Sequence, residues 1–369
     1  MSSETLLTRE LAEQFLEDPD AVDLNQFTAI DDEAAGILSK HTDNLDLCGL
    51  ENLSDRAAQL FRSHEGTLCL CGLASLSDSA AEGLRKHMGN LNLSGLASLS
   101  DAAAESLRRN KHGLDLSGLA TLPNTAAEIL SRHRGNLFLD GLTSLSSEAA
   151  VSLGQHEYYL SLSALQSITD DVANGLSKHD GDLSLQGLIS LSDEAAKLFG
   201  KHEGSLYLSG LTHLSDASAE SLARHDGDLN LSGLVTISDT VAEKLGSHRG
   251  ALYLRGLTTL SDVAAARLGM HEGDLCLRDL QELSDVAAGG LCRHKGSLEL
   301  SSVKRLSEVA AECLSKHVGR LGLGGLERLS PAAAELLLKH EGMLDLRLYD
   351  LPVRAAKILC RHPTFSRTR

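Results

Sequence analysis

Apolar and polar positions along this chain follow one pattern that returns every 23 residues. With the first position of each unit counted as offset zero, it falls at Val22, Leu45, Leu68, Leu91, Leu114, Leu137, Leu160, Leu183, Leu206, Leu229, Leu252, Leu275, Leu298, Leu321 and Leu344, fifteen units in unbroken register. In the copy LSLQGLISLSDEAAKLFGKHEGS at 183–205, the opening Leu-x-Leu has the period of a short strand, with offsets zero and two inward and offsets one and three outward. A glycine at offset four (Gly49, Gly72, Gly95, Gly118) predicts a turn. Leu-Ser-Asp then reads as a helix start, the serine as N-cap and the acid on the positive end of the dipole. Pro331 after Ser330 fits the first helical position. Apolar offsets 12, 13 and 16 make one helix stripe, and because two of them are usually alanine the helix is expected close to the sheet. A histidine at offset 19 ends the helix. The glycine two residues later (Gly204, Gly227, Gly250) predicts a left-handed cap.

Such a unit cannot bury its apolar face alone, so the array predicts a right-handed α/β solenoid of about 15 coils forming one elongated body over residues 22–343. Residues 1–21 are expected to be an N-terminal helical cap, with Leu6, Leu7, Leu11 and Leu16 available to cover the first unit. That first unit is worn, with Gln26 at the glycine position and Phe27 at a leucine position. Residues 344–369 read as a last degenerate unit, a cap marked by Pro352 and Pro363, and a basic tail with Arg361, Arg367 and Arg369.

The pattern L-x-L-x-G-L-x-x-L-S-D-x-A-A-x-x-L resembles the leucine-rich repeat superfamily over residues 22 to 362, and is most similar to its bacterial and cysteine-containing branches. It departs from them at offset five, where Leu188, Leu211 and Leu234 stand in place of the usual Asn or Cys. The resemblance implies a parallel sheet on a concave face, helices on the convex face, and recognition of a protein or peptide by a non-catalytic scaffold.

Composition narrows the remaining classes. Apolar residues make up 42% of the chain but aromatics only 3%, without Trp, so leucine and alanine layers must fill the core. A net charge of −17 opposes nucleic-acid binding, which needs a basic stripe. No apolar run approaches the roughly 20 residues that span a bilayer, and MSSETLLTRELAEQ lacks a secretory apolar core, so no membrane partner and a cytoplasmic location are expected. Seven cysteines, an odd number without CxxC spacing, read as reduced. Cys48 and Cys71 share a column on adjacent strands, roughly 5 Å apart, with Cys69 close by; a soft-metal or redox site and plain small neutral residues both fit.

The histidine column (His41, His64, His87, His133, His156 and onward to His340, interrupted by Asn110) could be read as a metal ladder. It offers one imidazole per coil and lies on the inward stripe, so packing between coils and capping of carbonyls is the expected role, with no metal or other cofactor. A pH-responsive array is the alternative. Protonating all 16 histidines would take the formal charge from −17 to −1, and with it come lower solubility or self-association near pH 5. Catalysis is not expected, since the recurring Ser and Asp open a helix that the histidine closes about ten residues on, on the order of 15 Å away.

The outward strand positions vary most, and the sequence treats them as free of core duty. They run acidic early, aromatic in the middle and basic late. Phe138, Tyr159, Tyr207 and Tyr253, with Arg255 and Arg278, are the candidate partner-binding residues, because aromatics and arginines anchor interfaces.

Overall fold

The structure, a computed structural model, describes residues 5–366. The chain divides into two compact units, residues 1–185 and 186–369. In the first, the strands Leu45–Asp46, Leu68–Cys69, Leu91–Asn92, Leu114–Asp115, Leu137–Phe138, Leu160–Ser161 and Leu183–Ser184 pair in parallel, each with the next. The second repeats this from Leu206–Tyr207 to Leu344–Asp345, again in sequence order. A helix, in most coils of seven residues, follows each strand, as in Asp78–Leu84 and Asp262–Leu268. Each unit is thus an α/β solenoid.

The core lies between strand and helix in every coil. Leu68, Leu70 and Leu73 from the strand side and Ala80, Ala81 and Leu84 from the helix are all fully buried, and the same six positions recur along both units. Alanine at two of them keeps helix and sheet close.

Seven residues are too few for a stable isolated helix, so each depends on its ends and its neighbours. The N-cap serine behaves as expected: Ser54 Oγ accepts from Ala57 N–H at 2.9 Å and Ser261 Oγ from Ala264 N–H at 2.9 Å. The serine hydroxyl also donates to the acid that opens the helix of the preceding coil, Ser77 to Asp55 and Ser261 to Asp239, both at 2.5 Å. Ser330 reaches Glu308 at 3.1 Å, and Ser146 reaches Asn124 at 2.6 Å. A hydroxyl–carboxylate ladder therefore runs along the helix starts of each unit.

The glycines act differently from the expectation. No described glycine has a positive φ, so Gly227 and Gly250 are not left-handed caps. They mark close approach instead: a Cβ on Gly227 would lie 2.5 Å from Gly204 O, and one on Gly250 2.2 Å from Gly227 O. The offset-four glycine Gly72 is hemmed in likewise by Cys48 O at 2.3 Å.

The N-terminal segment is also not a plain helix. Leu6–Leu7 is a strand paired in parallel with Ala29–Ile30, and the helix is Arg9–Glu17. Leu7, Ala12 and Phe15 are buried, whereas Leu6 and Leu16 are exposed. The partner positions are 23 residues apart, so this segment is the helical half of a coil and buries that coil's face. Val22–Asp23, by contrast, forms no strand; Asp23 accepts from Asn25 N–H and opens a short 3₁₀ turn, Leu24–Gln26. At the other end the helix Val353–Leu359 follows Pro352, and Arg361 pairs with Glu335 at 2.6 Å. Arg367 and Arg369 lie outside the described residues.

The histidines are core residues. From His64 to His362 those of the column are at most 2% exposed, and neighbouring rings stack, with centroids 5.7–6.0 Å apart from His202 to His340. Nε2–H of His156, His225, His271 and His317 donates to a loop carbonyl of the preceding coil, Gly135, Gly204, Gly250 and Gly296, at 2.7–3.0 Å. These carbonyls belong to the loop rather than to the helix end that the sequence implied, whereas His87 and His133 reach helix-end carbonyls, Phe61 O and Arg108 O. Burial holds His87, His156, His248, His271 and His317 down to about 4, and neighbouring histidines add to the effect. These five stay neutral at pH 5, so the expected collapse of net charge to −1 there does not occur.

Two outcomes follow. Between about 4 and about 6.5 the unfolded histidines bind protons that the folded ones refuse, so stability is full above pH 6.5 and is lost progressively as the pH falls toward 4. Thermal melts should show a steep loss from pH 6.5 to 4.5, and His248→Asn should flatten it; a melting temperature constant over that range contradicts the ladder. In urea titrations Ser261→Ala should cost about 1–2 kcal/mol, and combining it with Asp239→Ala should cost less than the sum of the two.

Candidate functional site

The exposed face of the strands is formed by offsets minus one, one and three. The backbone ladder along it ends at offset two, where Leu47 N–H donates to Cys69 O and Leu93 N–H to Asp115 O. In four coils the Asp or Asn at offset one takes the N–H two residues on: Asp46 from Cys48 at 3.2 Å, Asn92 from Ser94 at 3.0 Å, Asp115 from Ser117 at 2.9 Å and Asn230 from Ser232 at 3.1 Å. These positions are therefore not free of structural duty, as the sequence had implied. Phe138, Tyr207 and Tyr253 stand in the same column and carry no group that can make this bond.

In the first unit, Phe138 and Tyr159 are brought together, with ring centroids 5.5 Å apart and planes at 54°. Tyr159 precedes the strand Leu160–Ser161 and so sits at offset minus one, at the strand entry. Next along the strands Asp140 accepts from the Ser161 hydroxyl at 2.5 Å and from Ser163 N–H at 2.8 Å, and the Ser163 and Ser184 hydroxyls are 3.0 Å apart. Ser161 and Ser184 are buried, so this network is a closed polar floor beside the aromatic pair.

At the other end of that unit Cys48 and Cys71 form a disulfide, with Cα atoms 4.7 Å apart. This corrects the reading of all seven cysteines as reduced. The 23-residue register sets the two residues side by side on adjacent strands, within disulfide reach. Cys69 remains a free thiol, and burial raises its pKa.

In the second unit, Arg255 lies over the Tyr253 ring, 5.3 Å from its centroid. The two are at offsets one and three of one strand and so share a face. Arg278, at offset three of the next coil, is exposed. Tyr207 is two strands from Tyr253, with Asn230 between them, about 10 Å away. Burial, then Asp228, push the Tyr253 hydroxyl upward. The late coils are mixed in charge rather than basic: Glu299 folds over Gly322, where a Cβ would meet its carboxylate at 2.5 Å, and Arg320 pairs with Asp345 at 2.5 Å. The Tyr253–Arg255 contact and the Asp140 network were missed from sequence. An aromatic and an arginine two residues apart on a strand was the available signal for the first.

The recurring Ser, Asp and His do not converge, since the hydroxyl is held by the acid of the preceding coil and the imidazole by a loop carbonyl. Among the described residues no group of three or more His, Cys, Asp or Glu is placed to hold a metal ion, and no helix is long and apolar enough to cross a membrane.

No family model matches the chain, and no curated protein matches it. Solved structures do. An internalin from Listeria monocytogenes is similar over 92% of this chain and 94% of its own, at 16% identity and a TM-score of 0.50. A leucine-rich-repeat protein from Leptospira interrogans is similar over 96% and 97%, at 18% identity and a TM-score of 0.49. Strand, buried leucine triplet, glycine turn and short capped helix, repeated every 23 residues, give this chain the leucine-rich-repeat fold.

Proposed function

We propose that the chain is a non-catalytic interaction scaffold that holds a protein or peptide on the exposed face of its strands. The observation that carries this reading is the substitution within one column. Asp and Asn at offset one bond the N–H two residues on, whereas Phe138 and Tyr253 have no carboxylate or amide for that bond and present rings in the same column, where Tyr207 also stands. Each unit then has its own aromatic element: Phe138 against Tyr159 in the first, and Tyr253 under Arg255, with Tyr207 and Arg278 nearby, in the second. Aromatic and arginine side chains on a rigid sheet lose little conformational freedom on binding, which suits them as anchors. The separate engagement of the recurring Ser and Asp at the helix starts and of the buried His in the ring column supports a role without catalysis.

Affinity capture with the wild-type chain and with Tyr207→Ala/Tyr253→Ala tests this. The partner should be lost from the variant, with melting temperature changed by no more than about 2 °C, since neither ring belongs to the leucine core. A partner retained by the variant, and by Phe138→Ala/Tyr159→Ala as well, moves the binding surface off the strand face.

A further inference from the structure

We propose that a basic cleft on the helix side of the first unit binds a carboxylate-rich peptide segment of a partner protein. It is a surface separate from the strand face and does not depend on it. The cleft, of 460 Å³, is lined by Arg108, Arg109, Asn110, Lys111, Arg132 and Arg134. It lies where the histidine column is interrupted. Asn110 replaces the histidine, donating to His87 O at 3.0 Å and accepting from His112 N–H at 2.7 Å. His112 takes the usual glycine place, and Gly113 follows one position late. The amide does not stack on the rings of the adjacent coils, so the ring column is interrupted beside the cleft.

The charge of this region departs from that of the chain. Residues 106–135 carry five Lys and Arg against Asp115 and Glu128, a balance of +3 in a protein of −17. Part of it has an ordinary explanation. Basic residues at offset 17 or 18 sit at the helix C-termini of most coils, where they complement the dipole. Arg108 and Arg109 share Glu105, and Arg132 pairs with Glu128. Offset 20 is different. In many other coils it is an acid that offsets those cations, as in Glu65, Asp180, Glu203, Asp226, Glu272 and Glu341. In these two consecutive coils it is Lys111 and Arg134, both exposed, beyond the helix end, and in no ion pair among the described residues.

The arrangement favours a string of carboxylates over one small anion. The cations are spread over two coils, about 5 Å apart at the strands, rather than converging on a point. Glu105 already engages Arg108 and Arg109, and Glu128 engages Arg132, so Lys111 and Arg134, one on each coil, are the cations open to an incoming Asp or Glu.

The test uses the full chain and a fluorescent peptide of about twelve alternating Glu and Gly residues, followed by anisotropy in low and moderate salt. Binding should weaken with salt, and Lys111→Glu/Arg134→Glu should lower affinity by about tenfold or more. Arg293→Glu/Lys295→Glu changes net charge equally in a coil that keeps its histidine, and should lower affinity by less than about threefold. Both variants should keep the wild-type melting curve. Equal weakening by the two pairs, absence of peptide binding, tighter binding of a single-stranded DNA of similar length, or displacement of the peptide by an equal concentration of inorganic phosphate would overturn the proposal.

Discussion

The close approach of one coil to the next is the contact on which the rest of each unit depends. Strands about 4.8 Å apart bring successive loops so close that at Gly72, Gly227 and Gly250 a single Cβ would strike the carbonyl of the coil before. Alanine at two helix positions meets the same demand on the other side of the core. With spacing fixed in this way, identical residues 23 apart fall within bonding distance, and the polar columns become ladders. Serine reaches the preceding acid, imidazole reaches the preceding loop carbonyl, and leucine packs on leucine. No coil owns these bonds alone, so loss at one place is shared with its neighbours.

The histidine ladder shows what such sharing allows. A buried imidazole alone would be a poor core residue, because only one of its nitrogens carries hydrogen when it is neutral. Repetition supplies a carbonyl for that N–H in many of the coils, and where it does not, as at His248, the ring is held by stacking on its neighbours. The ends need covering: Phe15 meets His41 edge-on in the first unit, and Phe365 meets His362 in the second. The result is a column that contributes packing while neutral and opposes its own protonation.

Much of this was legible in the sequence, for a physical reason. Leucines, alanines and the N-cap serine act within one coil, and their spacing reports strand and helix directly. Bonds between coils were harder to read, since Ser261 and Asp239 look like separate capping residues until the stacking distance is known. The glycines were assigned to backbone conformation because a single unit offers no sight of its neighbour. Leu6 and Leu7 were read as helix because the count began at Val22; carried back by 23 from Ala29 and Ile30, it reaches them. Spacing placed Cys48 beside Cys71 but does not report oxidation state.

The candidate surfaces follow from the same logic, because uniform coils offer a ligand no preferred place. Only a departure from the repeat can define one, and a departure forfeits bonds to two neighbours rather than one. Substitutions on the strand face forfeit least, since Phe138 and Tyr253 give up one local hydrogen bond and disturb no ladder. Asn110 forfeits more, breaking the ring stack inside the core, and its amide bonds to His87 and His112 only partly replace it. An interruption in so costly a position, flanked by Lys111 and Arg134 in place of acids, is harder to attribute to drift than a change on the open face. Location within the ladder system, rather than chemical type alone, is what separates these residues from the other exposed aromatics and cations of the chain.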